Sequence, residues 1–162
     1  MMDEKSKTIR DLTPEAVALA RRIVSDAKFG ALAVLDPASG APHVTRVAVA
    51  TDGSGNPLIL VSSLSRHTKA LVKDPRCCLL LGEPGKGDPL AHPRVSLTCL
   101  AKRIGAEDVE RPGFELRYLA HLPKAKLYAG FMDFSFFVLE VRFVALNGGF
   151  GRAYEMTGAD FL

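Results

Sequence analysis

Short apolar runs that alternate with compact turns constrain the fold of this chain more than any other feature. Six runs have the length and composition of strands: GALAVLD, HVTRVAVAT, LILVSS, CCLLLG, RVSLTCLAKRI and SFFVLEVRFVAL. The first three are separated by PASGAP and DGSGNP, which have the composition of tight turns. Strands joined by such short turns pair antiparallel, because parallel neighbours need a long crossover connection. The sequence therefore predicts a small antiparallel barrel.

Alternation of side chains within the two longest runs predicts which face of each strand is buried. In RVSLTCLAKRI, the apolar face consists of Val95, Leu97, Cys99 and Ala101. In SFFVLEVRFVAL, the inner face is predicted to consist of Phe137, Leu139, Val141, Phe143 and Ala145. Half-buried strands of this kind are typical of antiparallel sheets.

Helical segments are predicted around these strands. TPEAVALARRIVSDAK predicts a helix with Thr13 as its N-cap and Pro14 in its first turn. RHTKALVK predicts two helical turns that follow Ser65 as N-cap and end before Pro75. PGFELRYLAHLPKAKLYAGF predicts two short helical pieces divided at Pro123. The predicted fold class is therefore mainly β with peripheral helices.

The length of 162 residues suits one domain. The polar stretch 1–12 predicts a mobile N-terminal arm, and residues 13–162 predict a single barrel domain. The last part of that domain, NGGFGRAYEMTGADFL, is a glycine-rich tail.

Composition argues against several classes of function. The net charge is +3 and the basic residues are scattered, so no nucleic-acid partner is expected. Cys77, Cys78 and Cys99 lack CxxC spacing, which argues against a disulfide framework and a structural zinc site. The chain begins with a polar stretch and has no apolar run of membrane-spanning length. We therefore expect a cytoplasmic protein with no membrane partner.

The segment SSLSRHTK joins a predicted strand to a predicted helix. A helix start offers unpaired N–H groups and a partial positive charge, both of which suit an anion. Arg66 and His67, together with the hydroxyls of Ser62, Ser63 and Ser65, would complete a phosphate-binding site. The alternative is a capped surface helix whose charges are solvated, and the spacing of the residues alone favours it.

Arg46 adds a second observation. It shares a predicted strand face with Val44, Ala48 and Ala50. A charge on a face of small apolar residues needs a partner, which is either an anionic ligand or a nearby carboxylate. Arg94 raises the same question on its own strand.

These residues lie within motifs that resemble the pyridoxamine 5'-phosphate oxidase-like, FMN-binding split-barrel family. The motifs are PHVTRVAVA, LVSSLSRHTKALVKDPRCCLLL, DPLAHPRVSLTCLAKRI, YLAHLPKAKLYAGFMDFSFFVLEV and LNGGFGRA, and their order is most similar to the haem-utilisation branch. The resemblance implies a six-stranded antiparallel split β-barrel that forms a homodimer. It also implies that FMN lies in a groove built by both subunits.

Residue by residue, the resemblance implies a cofactor-binding set from four parts of the chain. The set consists of Arg46 and Val47 on one strand, Ser62 and Ser63 at a strand end, Ser65, Arg66, His67 and Lys69 in the phosphate-binding segment, and Arg94 and Ser96 on the strand contributed by the partner.

Two departures from the family pattern separate this chain from the oxidase enzymes. The Trp-Gln-Gly-Gly stretch of the oxidases is replaced by Leu146-Asn147-Gly148-Gly149, and no His follows Arg152. The oxidation of pyridoxamine phosphate is therefore not expected.

The haem-utilisation branch takes its iron ligand from a C-terminal His, and no His follows Arg152 here. Asp133 does match the pattern of that branch, where it would assist bound haem or cap a turn. The histidines of this chain are His43, His67, His92 and His121.

Three functions remain open at this stage. The first is an FMN-binding protein that serves as a flavin-dependent oxidoreductase, in which the flavin carries the chemistry. The second is a haem-binding or haem-utilisation protein. The third is a cofactor-free dimeric barrel that binds another anionic small molecule. No catalytic residue is predicted for any of them.

Overall fold

The structure, a computed structural model, describes residues 8–162 and is built on one antiparallel sheet of eight strands. The strands are β1 (Phe29–Leu35), β2 (Pro42–Ala48), β3 (Ala50–Thr51), β4 (Pro57–Ser62), β5 (Arg76–Leu81), β6 (Arg94–Ile104), β7 (Phe134–Asn147) and β8 (Ala153–Thr157). The helices are α1 (Pro14–Asp26), α2 (Arg66–Lys73), α3 (Arg111–His121) and α4 (Gly158–Phe161), and two 3-10 helices span Pro89–Ala91 and Pro123–Leu127.

The order of the strands requires the sheet to curl. The order is β2-β1-β5-β6-β7-β4-β3, and β8 pairs with the C-terminal part of β7. Strands β2 and β3 stand at opposite ends of this order, yet Val49 alone separates them in the chain. The two ends of the sheet must therefore meet. The predicted class, mainly β with an antiparallel sheet and peripheral helices, is confirmed. The count of six strands was too low, because the predicted strand HVTRVAVAT is divided at Val49 into β2 and β3, and β8 was not predicted.

The concave side of the sheet holds the main core. Its completely buried side chains include Leu32, Val49, Ile59, Leu79, Val95, Leu97, Leu139 and Val144. Helix α1 closes one side of this core with Ala16, Ala20 and Val24. As predicted, Thr13 caps α1, and its hydroxyl accepts a hydrogen bond from the Ala16 amide at 3.1 Å.

The outer face of the sheet is divided into two regions. In the covered half, outward side chains of β3, β4, β6 and β7 pack beneath α3 and the second 3-10 helix. The strands supply Ala50, Leu58, Leu60, Ile104, Phe136 and Val138, and the segments above them supply Tyr118, Ala125 and Ala129. In the open half, β1, β2, β5, the first part of β6 and the last part of β7 face outward, and none of the helices within residues 8–162 covers them. Its outward residues include Ala31, Ala33, Val44, Arg46, Cys78, Leu80, Ser96, Thr98 and Phe143.

The predicted inner face of β7 is correct only for its first part. Phe137, Leu139 and Val141 are buried in the core, but Phe143 is 37% exposed and lies on the outer face. The cause is a β-bulge: Cys99 pairs with Val141 and Thr98 with Phe143, so one extra residue on β7 shifts the alternation. The predicted inward positions of Phe143 and Ala145 were therefore wrong.

The glycine-rich tail is folded. It forms β8 and α4, and Phe161 is buried against the main core. Thr157 and Asp160 form a reciprocal capping box at the start of α4.

The predicted N-terminal arm lies partly outside the described residues, which begin at position 8. Ile9 forms a parallel bridge with Ala153, and the Arg10 amide donates to the Ala153 carbonyl at 2.8 Å. The mobility of the arm stays a prediction. Among residues 8–162, no helix has both the length and the apolar character needed to cross a membrane.

Candidate functional site

The phosphate-binding segment predicted from the sequence lies where β4 gives way to α2. Ser62 ends β4, Ser63 and Ser65 form the turn, and Arg66 starts the helix. Helix α2 therefore begins and ends where the sequence predicts. Its buried side consists of Thr68, Ala70 and Leu71, and Lys69 is exposed.

Ser65 occupies the N-cap position of α2, but its hydroxyl caps no amide of the helix. The hydroxyl donates instead to the Ser62 carbonyl at 2.6 Å. It also lies 2.7 Å from Thr68 Oγ1 and 3.3 Å from His67 Nε2. The hydroxyl of Ser65 thus stabilises the turn. The backbone amides of the first helical turn accept no cap from Ser65 and can donate to a different acceptor.

Asp133 fixes the same turn from the other side. Its carboxylate Oδ2 accepts a hydrogen bond from Ser62 Oγ at 2.6 Å, and its carbonyl accepts one from the Ser63 amide at 2.7 Å. Two roles were predicted for Asp133: assisting bound haem or capping a turn. The structure shows a contact of the second kind, because Asp133, just before β7, binds the turn that follows β4. The Ser62 hydroxyl is therefore already engaged within the chain.

Arg66 also has a partner in the chain. Its Nε and Nη2 donate to Asp36 Oδ1 at 3.2 and 3.1 Å, while 63% of the Arg66 side chain stays exposed. Hydrogen bonds from Ser39, followed by those from Arg66, lower the pKa of Asp36. Because the Arg66 side chain is largely exposed, this ion pair contributes little to stability.

His67 is half-buried in this segment. Burial and, to a smaller extent, the nearby charge of His43 lower its pKa below the ordinary value of 6.5. The imidazole is therefore neutral at pH 7, and the cations of this segment are Arg66 and Lys69.

The remaining predicted residues lie elsewhere on the chain. Arg46 is on the open half, with its guanidinium 5.4 Å from the centre of the Phe29 ring. Val47 points into the main core and is only 7% exposed, so its backbone alone could contact a ligand.

Arg94 and Ser96 lie at the start of β6. Arg94 Nη1 donates to the carbonyls of Leu90 and His92 at 3.2 and 3.4 Å, and Ser96 faces outward on the open half. The predicted set thus forms separate groups within one copy of the chain. Arg46 is near the Phe29 end of the β1–β2 hairpin, whereas Arg66 contacts Asp36 at its turn end. A shared site for all of them stays a prediction.

Sequence reasoning missed an apolar groove on the open half, which we call the outer groove. It has a volume of about 470 Å³, and its floor includes Ala33, Leu35, Cys78 and Leu100. Arg76 and Arg142 also line it. The sequence signal was present in the outward alternation of β1 and β5, but five strands must be placed side by side before the groove exists.

No group of three or more His, Cys, Asp or Glu side chains that could hold a metal ion occurs within residues 8–162. Cys77 and Cys99 are opposite each other on β5 and β6 and are buried in the core, as predicted from their small apolar character. Burial raises the pKa of the Cys77 thiol to about 12 and also raises that of Cys99. Neither thiol is suited to act as a nucleophile.

Comparison with known proteins identifies the family. The sequence profile of the family described as "CREG, beta-barrel" matches residues 12–162. The chain belongs to this family. The predicted resemblance to split-barrel proteins with haem-related members is thereby confirmed, since several similar proteins are named for haem.

Two solved structures are similar over nearly the whole chain. A haem-binding protein from Mycobacterium smegmatis is 33% identical with a TM-score of 0.83, covering 93% of this chain and 61% of its own. A protein of unknown function from Agrobacterium tumefaciens is 36% identical with a TM-score of 0.81, covering 92% of this chain and 60% of its own. This chain therefore spans about three fifths of each relative.

A curated relative is named for a reaction of haem. The chloroplastic non-canonical haem oxygenase HOZ of Arabidopsis thaliana is 32% identical over 119 residues, or 74% of this chain. The match covers 36% of that protein, so this chain spans about a third of its length.

Proposed function

We propose that this member of the CREG beta-barrel family binds haem and that it does so as a homodimer. The observation that supports this most directly is the likeness to the haem-binding protein of M. smegmatis, which extends over 93% of the chain at 33% identity. The Arabidopsis haem oxygenase gives independent support from a second relative. FMN binding, which the split-barrel resemblance implies, becomes the second candidate.

The residues of this chain fit the chemistry of haem. A porphyrin needs an apolar surface for its ring and cations for its two propionates. The open half offers exposed apolar side chains, including Phe29, Val44 and Leu80, and the arginines Arg46 and Arg142. Bound haem would supply an iron centre for ligand binding or oxygen chemistry.

An imidazole ligand for the iron would come from His43 or His67. The Nε2 atoms of His92 and His121 lie within hydrogen-bond distance of the carbonyls of Lys86 and Ala27, at 2.9 and 2.7 Å. The contact described for the His67 ring is with the hydroxyl oxygen of Ser65. Its pKa is lowered, so the ring is neutral at pH 7, and an imidazole must be neutral to bind iron.

The homodimer is supported by the apolar character of the open half. Val44 is 61% exposed and Leu80 is 47% exposed, and both lie on the same outer face, on the strands at either side of β1. A second copy would cover these side chains and bring its own Arg94 and Ser96 toward the crevice, as the family resemblance implies. A stable dimer needs about 800 Å² buried on each copy.

Absorption spectroscopy tests haem binding. Titration of the purified chain with ferric haem is expected to give a saturable Soret band shifted from that of free haem. His67→Ala is expected to change the position of the band, whereas His92→Ala, the matched control, leaves it unchanged. A wild-type spectrum identical to that of free haem would overturn the proposal.

FMN remains a candidate because of one feature of the phosphate-binding segment. The first-turn amides of α2 are uncapped by Ser65, and Arg66 and Lys69 stand beside them. A phosphate would gain charged hydrogen bonds there. If FMN binds, Arg66→Ala is expected to weaken it at least tenfold, while Lys73→Ala at the other end of α2 has little effect. The fluorescence of FMN, which is quenched on binding to many proteins, measures both.

A further inference from the structure

A separate cavity lies away from the open half, between α1, the turn that joins β3 to β4, and the end of α4. We call it the α1 pocket; its lining includes Arg21, Arg22, Val24, residues 53–55 and Phe161. Its volume of about 370 Å³ lies within the range of about 300–1,000 Å³ that is usual for ligand pockets. Because α1 and α4 are not part of the open half, a second copy that covers that half leaves the α1 pocket accessible.

The base of the α1 pocket is apolar and rigid. Val24 and Phe161 belong to the main core and are each only 1% exposed. Arg21 holds Phe161 in place, since its Nε donates to the Phe161 carbonyl at 2.5 Å and its Nη2 to the Asp160 carbonyl at 3.5 Å. These bonds satisfy carbonyls at the end of α4 and so fix one wall of the pocket.

Two arginines at the α1 pocket have no partner in the chain. Arg22 lines the pocket and is exposed, and its side chain forms no hydrogen bond or ion pair within residues 8–162. Arg117 of α3 reaches the same turn, because a Cβ at position 53 would lie 2.6 Å from Arg117 Cζ and Gly53 has none. Arg117 is likewise exposed and unpaired among the described residues.

The carboxylates that are close to this lining along the chain do not neutralise these arginines. Asp52 Oδ1 accepts the three backbone amides of residues 54–56 at 2.8, 3.1 and 3.1 Å. Asp160 Oδ2 accepts the amide and the hydroxyl of Thr157 in the capping box of α4. Asp26 lines a neighbouring cavity with Arg22 but forms no ion pair with it. Both guanidinium groups therefore keep their donors for an anion.

We propose that the α1 pocket binds a compact phosphate ester, with the phosphoryl group on Arg22 and Arg117 and the organic part over Val24 and Phe161. A phosphoryl group carries about two negative charges at pH 7 and three acceptor oxygens, so two guanidinium groups can bind it together. A carboxylate offers one charge and two oxygens, which satisfy only one guanidinium fully. This site is independent of the proposed haem function.

Isothermal titration calorimetry of the full chain with phenyl phosphate tests the proposal. Benzoate, a monoanion with the same ring, is the comparison ligand. Phenyl phosphate is expected to bind saturably and at least about tenfold more tightly than benzoate. Arg22→Gln and Arg117→Gln are each expected to weaken it about tenfold. Lys124→Gln, which removes an exposed cation from the second 3-10 helix, is the matched control and should change nothing.

A charge added at the rim gives a second test. Ser54→Asp is expected to abolish the binding of phenyl phosphate, because it places a carboxylate beside the two arginines. The fold should remain intact, since Ser54 is exposed and its amide, not its side chain, forms the hydrogen bond to Asp52. Ser54→Asn has nearly the same shape without the charge and should bind phenyl phosphate as the wild type does. Circular dichroism verifies that each variant is folded.

Each result decides for or against the α1 pocket. Loss of binding in the arginine variants and in Ser54→Asp supports it, whether or not haem binds. Absence of saturable binding up to about 10 mM phenyl phosphate, or equal affinity for benzoate, overturns it. Loss of binding in Arg66→Ala, with the α1-pocket variants unchanged, also overturns it, because the probe then occupies the phosphate-binding segment. The Soret titration should be the same in all α1-pocket variants, so the two proposals succeed or fail separately.

Discussion

The covered and open halves of the outer face are made of similar strands but differ in what lies above them. In the covered half, α3 and the 3-10 helix after it bury Phe136 and Tyr118 completely, and the rings of these two residues pack edge to face with centroids 5.4 Å apart. In the open half, Leu80 and Val44 remain exposed. The same sheet therefore supplies its own cover on one side and presents an apolar surface on the other. The difference indicates that stability is concentrated in the first region and recognition in the second.

The largest expected effect comes from matched truncations in the two halves. Phe136→Ala is expected to lower the free energy of unfolding by about 3–5 kcal/mol, since Phe136 is completely buried. Phe143→Ala, which removes the same side chain from the open half, is expected to cost about 1 kcal/mol. Urea unfolding measures the loss of free energy in each variant, and an unchanged m-value shows that the variant still unfolds from the same folded state. Equal losses would break the distinction between the halves.

A charge introduced in the open half tests whether a second copy covers it. If the proposed dimer forms through this face, Leu80→Lys is expected to convert it to a monomer while leaving the fold intact, because an unpaired charge is costly inside an interface. Leu116→Lys, on the solvent side of α3, is the matched control; Leu116 is 74% exposed. Light scattering after gel filtration gives the mass. A wild-type chain that elutes as a monomer at all concentrations would remove the dimer from the proposed function.

The three thiols report on the outer face and the core separately. In the Leu80→Lys variant, in which no second copy covers the open half, half-buried Cys78 is expected to react with a thiol reagent at least about tenfold faster than Cys77 or Cys99, whose pKa values are raised by burial. Mass spectrometry of the labelled chain identifies the site, and Cys78→Ser should abolish the fast phase. Labelling of the core thiols in the native protein at the rate of Cys78 would contradict this description.

The smallest effect is expected at the turn end of the open half. The pKa of Asp36 is lowered, first by the Ser39 hydrogen bonds and then by Arg66, so its contribution to stability is complete above the ordinary pKa of 3.8. That contribution is lost as the pH falls through the lower pKa of the folded state. Asp36→Asn should therefore lower stability slightly at pH 7 and reduce the acid sensitivity. Urea midpoints at pH 7 and at pH 3 check this; an unaltered pH dependence would contradict it.

Local sequence signals predicted most of the elements. Strand composition, the Thr13 cap and the proline at position 75 were sufficient to locate α1, α2 and the strands β1 to β7, because these signals act over a few residues. The face of β7 beyond Val141 could not be predicted, because alternation assumes that every residue is paired and the bulge at Arg142 breaks that assumption. Strand β8 was missed because its glycine-rich approach resembles a loose tail.

Only the part of the candidate site that is local in the chain could be predicted from the sequence. The serines and Arg66 lie together because they are neighbours in the chain. The contacts with Asp36 and Asp133 span 30 and 71 positions, and no local pattern indicates them. The outer groove depends on five strands at once and is a property of the assembled sheet.

The single residue between β2 and β3 has a consequence for how the molecule opens. Val49 is completely buried, and its amide donates to the Lys28 carbonyl at 2.9 Å. This residue therefore holds β2 and β3 at a fixed separation, and neither strand can move far without the other. Peeling β2 away from β1 would pull on β3 and, through it, on β4. Amide hydrogens of the two edge strands should therefore exchange with solvent at similar free energies, close to that of complete unfolding, although edge strands usually exchange first.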